Sequence, residues 1–217
     1  VEAQEGGPYR VVHIKDCFPM SHAFNEMIRQ SAPSKYVVQV DGDVVLKPWA
    51  VGRLLEAIKT TWWCYMAWGQ LFEDGFGLGG SVRIWRRWPV RLLGFRDVRC
   101  VDRDLHSRMR SLGMRRLEVL GSTDRSITDE PDTFGVHYPR TTAFARYTKA
   151  RGDTEKWRFL GRHDLLKRLG NSDEDEWTTR GYRDGLETDW RLVRRSKDAK
   201  VLWHDYLSQR KNPERIL

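Results

Sequence analysis

Cysteine is scarce in this chain and scattered along it. The three cysteines, Cys17, Cys64 and Cys100, are odd in number and form no Cys-x-x-Cys pair. The cysteine pattern therefore indicates neither a disulfide framework nor a cysteine-ligated zinc site. It favours a reducing, cytoplasmic setting.

Long hydrophobic runs are also absent. The longest apolar stretch, residues 61–71, is too short and too interrupted to span a bilayer. Residues 1–10 are polar and glycine-rich, unlike a signal peptide, and no internal repeat stands out. The sequence predicts a cytoplasmic protein, at most peripheral at the inner face of the membrane.

The composition of the chain is that of a folded, basic protein. Its 217 residues are 40% hydrophobic and 12% aromatic, which is enough to build a core. With 38 basic and 30 acidic residues, the formal net charge is +8. This charge favours anionic partners, namely nucleotide phosphates, nucleic acid or an anionic membrane, although surplus arginine can also simply solubilise a surface.

The pattern of apolar residues predicts an α/β fold. Residues 35–40 form the best predicted strand, which ends in Asp-Gly-Asp, and residues 49–59 form a predicted helix after Pro48. Further strands are predicted at 10–14, 62–72 and 115–120, and helices at 21–30 (capped by Ser21), 102–112 and 156–169. A change in composition near Ala150 predicts a domain boundary there, with a first domain at 1–150 and a helical, charged C-terminal extension at 151–217.

Two carboxylates, Asp41 and Asp43, follow the best strand, one residue apart. Ligands collect at the carboxyl ends of strands in open α/β sheets, and Gly42 allows a phosphate or metal to come close. Carboxylate oxygens suit Mg²⁺ or Mn²⁺ bridging a diphosphate. The alternative is an ordinary strand-to-helix turn, in which Asp and Gly are common.

Three segments in order resemble family-two glycosyltransferases. Residues 36–48 (YVVQVDGDVVLKP) resemble the Asp-x-Asp segment of that family, and Ala23, Asn25 and Ile28 resemble the helix before it. Residues 79–81 with 93–97 (LGFRD) resemble its glycine stretch and Gly-Gly-Phe-Asp-Glu block. Residues 101–108 (VDRDLHSR) resemble its Glu-Asp-x-Asp-Leu-x-x-Arg helix. The resemblance covers about residues 11–147 and fades afterwards.

The resemblance implies a GT-A-like, Rossmann-like fold with a mixed, mainly parallel sheet flanked by helices. It implies metal-dependent, inverting transfer of a sugar from a nucleotide-diphosphate sugar to an acceptor hydroxyl on a glycan, lipid-linked or protein acceptor. Asp41 and Asp43 would hold the metal and the diphosphate, His137 would complete the metal site, and Arg108 would lie near the diphosphate. The alternative for Arg108 is an ordinary surface ion pair with Asp104, four residues earlier on the same helix. Imidazole is a sound Mn²⁺ ligand, although a lone loop histidine is commonly structural.

Asp102 is the predicted general base. It lies at a predicted helix start, where unpaired N–H groups and the helix dipole favour a carboxylate, and it would take the proton of the acceptor hydroxyl. The alternatives are that it only caps the helix, or that the base is Asp97, Asp104 or an acid of residues 124–132. The family has Glu where this chain has Val101.

The resemblance also leaves gaps. The family opens with two further strand units that hold the nucleotide base, and this sequence begins after them. We therefore expect either a truncated piece, a nucleotide pocket built differently, or a degenerate scaffold.

Ten tryptophans are many for this length, and Trp85 or Trp88 is a candidate platform for an acceptor sugar. The favoured alternative is that most of the tryptophans lie in the core, because an aromatic side chain buries a large apolar area. The rival functions are a nucleotidyltransferase and a nucleic-acid-binding module based on Arg83, Trp85, Arg86, Arg87 and Trp88. Nucleic acid is not favoured as a partner, because Asp41 and Asp43 would repel its phosphates without a metal. Peripheral contact with an anionic membrane is the further expectation from the charge.

Overall fold

A computed structural model describes residues 4–73, 77–121, 133–137, 142–170 and 175–188. The chain divides into two compact units. The first comprises the described residues within 1–17, 22–96 and 102–139, and the second those within 18–21, 97–101 and 140–217. The boundary expected near residue 150 falls inside a continuous helix, residues Ala143–Phe159. The side chain of Thr142 caps the start of this helix by accepting from the N–H of Ala145.

The first unit has a mixed α/β architecture. Its described strands are β1 (Tyr36–Gln39), β2 (Val44–Leu46), β3 (Cys64–Glu73), β4 (Gly77–Arg86), β5 (Arg115–Glu118) and β6 (Gly135–His137). The helices lying wholly or mostly in this unit are α1 (Met20–Gln30), α2 (Ala50–Thr60), α3 (Arg87–Leu93) and α4 (Val101–Ser111). The α/β class predicted from the sequence is thereby confirmed.

The six described strands form one sheet in the order β1-β4-β3-β6-β2, with β5 also pairing with β3. Strands β1 and β4, β3 and β4, and β2 and β6 pair antiparallel, whereas β3 pairs parallel with β5 and β6. The prediction of a mainly parallel sheet is therefore wrong for the described strands. The physical reason is that only residues 74–76 separate β3 from β4, and a parallel connection needs a dozen or more residues.

The core of this unit lies between α2 and the sheet. Ala50, Leu54 and Ile58 recur at helical spacing on one face of α2 and are fully buried. They pack with strand residues on β3 and β4 and with a residue that precedes β6, namely Ala67, Leu71, Val82, Ile84 and Phe134. Each buried leucine or isoleucine contributes roughly 1.5–3 kcal/mol, so this layer holds α2 firmly beneath the strands.

Several predicted elements differ from the structure at their ends. Helix α1 begins at Met20, so Ser21 lies inside the helix rather than capping it. Helix α2 begins at Ala50, after Trp49, and α4 begins at Val101. The strand predicted at residues 10–14 is wrong: this segment alternates between exposed and half-buried but pairs with no described strand.

The described part of the second unit is helical, as predicted for the C-terminal extension. It contains α5 (Ala143–Phe159), α6 (His163–Gly170) and α7 (Glu176–Glu187). The single helix predicted at 156–169 is wrong, because the chain turns at Gly161, where φ is +66°. Asp175 caps α7 by accepting from the N–H of Trp177 at 2.9 Å.

Helices α5 and α7 pack closely through two glycines one turn apart. A side chain at Gly181 would meet the carbonyl oxygen of Tyr147 at 2.4 Å, and one at Gly185 would meet Thr154 at 2.7 Å.

Charged side chains are also buried in the second unit. Glu155 pairs with Arg99 and Arg151, and the Tyr147 hydroxyl donates to Asp184 at 2.8 Å. These charges are tolerated because each has a partner of opposite sign or a hydrogen bond.

No helix within the described ranges is long and apolar enough to cross a membrane.

Candidate active site

The acidic turn Asp41-Gly42-Asp43 joins β1 to β2. The N–H of Val44 donates to the carbonyl of Asp41 at 3.1 Å, which closes the turn. The short strand β2 therefore stands between the turn and α2, whereas the sequence predicted a direct passage into a helix. Asp41 is exposed and Asp43 half-buried. A side chain built at Gly42 would meet nothing within 4 Å, so the turn has open space around its middle residue.

His137 lies across the sheet from the end of this turn. Strand β6 pairs with β2 so that His137 is opposite Val44, the residue that follows Asp43. The imidazole is buried and lies against Gly80, where a built side chain would meet its Cε1 atom at 3.4 Å. Gly80 has φ of +67°, a conformation that favours glycine. The pairing thus places His137 on the strand beside the residue that follows Asp43, and its role as a metal ligand stays a prediction.

Asp102 lies in the first turn of α4, where its carboxylate contacts the N–H of Arg103 and the side chain of Arg83. Its Oδ1 accepts from the N–H of Arg103 at 3.0 Å, and its Oδ2 lies 3.1 Å from Nη2 of Arg83. Arg83 is fixed in turn, since its Nε donates to the hydroxyl of Ser81 at 3.0 Å. The predicted position of Asp102 at a helix start is confirmed, and Arg83 is a partner that the sequence analysis did not assign to it.

The sheet links Asp102 to the acidic turn. Arg83 on β4 is the cross-strand partner of Gln39 on β1. The side-chain amide of Gln39 approaches Oδ1 of Asp41 at 3.5 Å. Two segments far apart in sequence therefore meet at one end of the β1–β4 pair. Asp41 follows β1 at this end, and Asp102 on α4 is connected to the same end by its ion pair with Arg83.

An aromatic group that the sequence analysis missed lies beneath Asp102. His106, one helical turn after Asp102, stacks on Trp85 with ring centroids 5.9 Å apart, and its Nδ1 is hydrogen-bonded to the hydroxyl of Tyr65 at 2.6 Å. Burial lowers the pKa of His106 to about 4, although the charge of Asp102 acts to raise it. Burial also raises the pKa of Tyr65. The signal in the sequence is the spacing of four between Asp102 and His106, which puts both on one helix face.

Trp85 itself is fully buried and donates through Nε1 to the Gln39 side chain at 3.2 Å. Trp85 is therefore one of the core tryptophans that the sequence analysis expected, and it is not an exposed platform for an acceptor sugar. A β-strand presents alternate residues to opposite faces, and Trp85 falls on the face that the α4 residues cover.

Arg108 is engaged in holding α3 and α4 together. Its Nε donates to Asp104 at 2.8 Å, while Nη1 and Nη2 donate to the carbonyls of Leu93 and Gly94 at 2.8 and 2.7 Å. These carbonyls end α3, where backbone acceptors lack helical partners. The structure thus gives Arg108 a clear structural role, and its contact with a diphosphate stays a prediction.

The candidate metal ligands have suitable chemistry. Asp41 and Asp43 supply hard oxygens and His137 an imidazole nitrogen, a combination that suits Mn²⁺ and, through the oxygens, Mg²⁺. In the part of the chain that the structure describes, no group of three or more His, Cys, Asp or Glu side chains is arranged to hold a metal ion. The acids of residues 124–132, alternative candidates for the base, lie outside the described residues.

Comparison with known proteins adds no family to these observations. A scan of the chain against protein-family models gives no match, and a search of curated proteins gives no significant match.

Proposed function

We propose that the protein is a metal-dependent glycosyltransferase that moves a sugar from a nucleotide-diphosphate sugar to an acceptor hydroxyl. One observation carries the proposal. The register that pairs Gln39 with Arg83 brings Asp41 and the Arg83–Asp102 ion pair to the same end of two neighbouring strands. A phosphate-binding acidic turn and a separate carboxylate are the two groups that such a transfer needs.

Asp102 is the proposed general base. It would accept the proton of the acceptor hydroxyl while the acceptor oxygen forms a bond to the anomeric carbon and the bond from that carbon to the diphosphate breaks. Arg83 and the N–H of Arg103 hold the two oxygens of this carboxylate. Arg83 is thus a positioning residue, because it acts through Asp102.

Asp43, Asp41 and His137 are the proposed residues for the divalent ion and the diphosphate. A bound Mn²⁺ or Mg²⁺ would supply positive charge to the departing diphosphate. Mg²⁺ is commonly bound by one or two carboxylates together with substrate phosphates rather than by an all-protein cage. We therefore propose that ion and diphosphate bind together at the open turn around Gly42.

Titration calorimetry with nucleoside diphosphates tests this proposal. At about 0.15 M salt, where exposed charges are screened, we expect binding that requires Mn²⁺ or Mg²⁺, that EDTA abolishes, and that Asp43→Asn removes while the thermal unfolding temperature is retained. Asp164→Asn is the matched control, since it removes the same charge from an exposed position in the second unit. Equal affinity of wild type and Asp43→Asn, with or without EDTA, would refute the metal site.

The transfer itself is then tested by screening nucleotide sugars with Mn²⁺ for release of the nucleoside diphosphate. We expect release from at least one donor, and faster release when an acceptor glycan or lipid is added. If the protein binds nucleoside diphosphate but releases none from any nucleotide sugar, the result would indicate a nucleotide-binding protein without transferase activity.

A further inference from the structure

An apolar surface lies at the end of the β1–β4 pair away from Asp41. Three tryptophans and a leucine are exposed there: Trp62 by 77%, Trp63 by 46%, Trp88 by 61% and Leu92 by 72%. We call these four residues the tryptophan patch. Single exposed apolar residues are ordinary, but several large ones at one end of a strand pair indicate an interaction site.

The patch is assembled from two segments that Arg86 joins. Trp62 and Trp63 lie in the turn before β3 and pack edge to face, with ring centroids 5.7 Å apart. Arg86 donates to the carbonyls on both sides of this pair, to Thr61 at 3.3 Å and to Cys64 at 3.0 Å. Trp88 follows Arg86 by two residues.

Leu92 completes the patch on α3. It lies one turn after Trp88, so both project from the same face of that helix. Arg86 is paired with Tyr36 at the start of β1, whereas Asp41 lies beyond the other end of that strand. The patch and the proposed active site are therefore at opposite strand ends.

Basic residues border the patch. Residues 59–63, 86–92 and 110–116 contain no Asp or Glu, and their basic residues are Lys59, Arg86, Arg87, Arg91, Arg110, Arg115 and Arg116. The N–H of Arg115 donates to the carbonyl of Trp63 at 3.3 Å, which brings the start of β5 beside the patch. The side chains of Lys59, Arg91 and Arg115 are exposed.

This charge selects the kind of partner. Two copies of the patch would bring like charges together, which disfavours self-association, whereas an anionic surface is complementary. Nucleic acid would gain from stacking on the indole rings, but it offers nothing to the highly exposed aliphatic side chain of Leu92. A lipid interface accommodates both, because tryptophan favours the headgroup level and leucine the acyl boundary.

We propose that the tryptophan patch docks the protein on an anionic phospholipid membrane. Trp62, Trp88 and Leu92 enter the interface, and the exposed cations around them face the headgroups. The proposal is independent of the glycosyltransferase activity, since no residue of the patch belongs to the proposed active site.

Vesicle flotation of the full chain tests the proposal. We expect binding to vesicles of phosphatidylcholine mixed with phosphatidylserine, and little binding to phosphatidylcholine alone. The double variant Trp62→Ala with Trp88→Ala should lower the partition coefficient by at least about tenfold, because two large apolar groups are lost. Arg91→Gln should lower it by about fivefold through loss of one headgroup contact.

Leu92→Ser and Leu120→Ser form a matched pair for this test. The two leucines are exposed by 72% and 70%, but Leu120 lies beyond the far end of β5, outside the patch. We expect vesicle binding to fall for Leu92→Ser and to persist for Leu120→Ser. All these side chains are exposed, so circular dichroism and thermal unfolding should match the wild type.

Three outcomes would overturn the proposal. The first is vesicle binding that the double tryptophan variant leaves unchanged, or that Leu120→Ser weakens as much as Leu92→Ser. The second is self-association in sedimentation velocity that the double variant abolishes, without vesicle binding, which would assign the patch to a second copy. The third is retention on duplex DNA, lost in the same variant and again without vesicle binding.

Discussion

Three features surround the carboxylate of Asp102: it lies at a helix start, it forms an ion pair, and a histidine lies nearby. The first turn of α4 offers unpaired N–H groups, Arg83 lies 3.1 Å from one oxygen, and His106 lies one turn further along the helix. The first two features also occur in helices that have no chemical role. The proposed role as a base therefore needs a change that alters the proton acceptor and little else.

Asp102→Asn is that change. Asparagine can still accept from the N–H of Arg103, so we expect a loss of stability within about 1 kcal/mol, from the weaker dipole and ion-pair contributions. Removing a positioned general base should lower kcat by about a hundred- to ten-thousand-fold. Nucleoside diphosphate affinity should persist, because Asp102 is not among the proposed diphosphate ligands. Steady-state kinetics, calorimetry and thermal unfolding measure the three quantities.

Arg83→Gln serves as the comparison variant for Asp102→Asn. It leaves the carboxylate in place but removes its positioning, so we expect a smaller fall in kcat than for Asp102→Asn. Arg103→Gln should leave kcat unchanged, because only its backbone N–H contacts Asp102. A turnover of Asp102→Asn near that of the wild type would reduce Asp102 to a helix-terminus residue.

His106 gives the folded state a pH dependence of predictable sign. Burial lowers its pKa from 6.5 to about 4, with Asp102 opposing and Arg116 and Arg83 assisting this shift. Between those values the unfolded chain binds a proton that the folded chain does not. Above pH 6.5 His106 is neutral in both states, and the free energy of unfolding of the protein has its full value. As the pH drops toward 4, protonation of His106 in the unfolded chain lowers this free energy by about 2–3 kcal/mol.

His106→Gln should flatten that dependence, since glutamine does not titrate. Urea unfolding of wild type and variant at several pH values between 4 and 7 measures the two slopes. Tyr65→Phe is the control: it removes the hydrogen bond to Nδ1 but retains burial, so most of the slope should remain. Identical slopes for His106→Gln and wild type would show that His106 is not held neutral by burial.

At the scale of elements, long periodic segments were predictable and short ones were not. The helices α2 and α4 and the strand β1 were predicted within one or two residues. The helices carry apolar residues at helical spacing, and the strand is rich in β-branched and aromatic residues. Strands β2 and β6 have three residues each, and their sequences hold no periodicity. Strand β2 pairs with β6, and β6 pairs with β3; the sequence does not show either pairing.

The candidate site divides in the same way. Asp41, Asp43 and Asp102 were identifiable, because carboxylates at a strand end and a helix start have local causes. The contact between Arg83 and Asp102 depends on how α4 packs against β4 and was missed. The segment at 10–14 shows the opposite error, since its apolar pattern resembles a strand but no described partner pairs with it.

Gly69 in the middle of β3 sets how closely the core packs on the sheet. A side chain there would meet ring atoms of Phe134 at 2.3 Å, and Phe134 is fully buried with its edge toward Trp49. Gly69→Ala should therefore lower the free energy of unfolding by about 1–3 kcal/mol. Urea denaturation measures the change.

Gly52→Ala is the matched control for this substitution. Gly52 lies inside α2, and its nearest contact would be an ordinary 3.6 Å to the carbonyl of Glu5. Alanine should stabilise the helix there by up to about 1 kcal/mol. Equal effects of the two substitutions would mean that Phe134 yields easily and that the core is loosely packed around Gly69.

At the scale of the whole molecule, the charge creates two routes for binding an anion. A net charge of +8 attracts any polyphosphate over the surface, whereas the acidic turn around Gly42 can attract one only through a cation. The two routes differ in range. Exposed charges are screened beyond about 8 Å at physiological ionic strength, while direct coordination through an ion depends less on salt.

Salt should therefore separate the two routes. In calorimetry at low salt we expect nucleoside diphosphate to bind both with and without Mn²⁺, and Asp43→Asn to retain the metal-free component. Near 0.15 M salt, where screening acts over about 8 Å, the metal-free component should fade and the Mn²⁺-dependent component of the wild type should persist. Inorganic pyrophosphate is the control ligand, because it shares the diphosphate and lacks the nucleoside. If Mn²⁺-dependent binding disappeared together with the metal-free component, the diffuse positive surface would account for all of the affinity, and Asp41 and Asp43 would be left as an ordinary turn between β1 and β2.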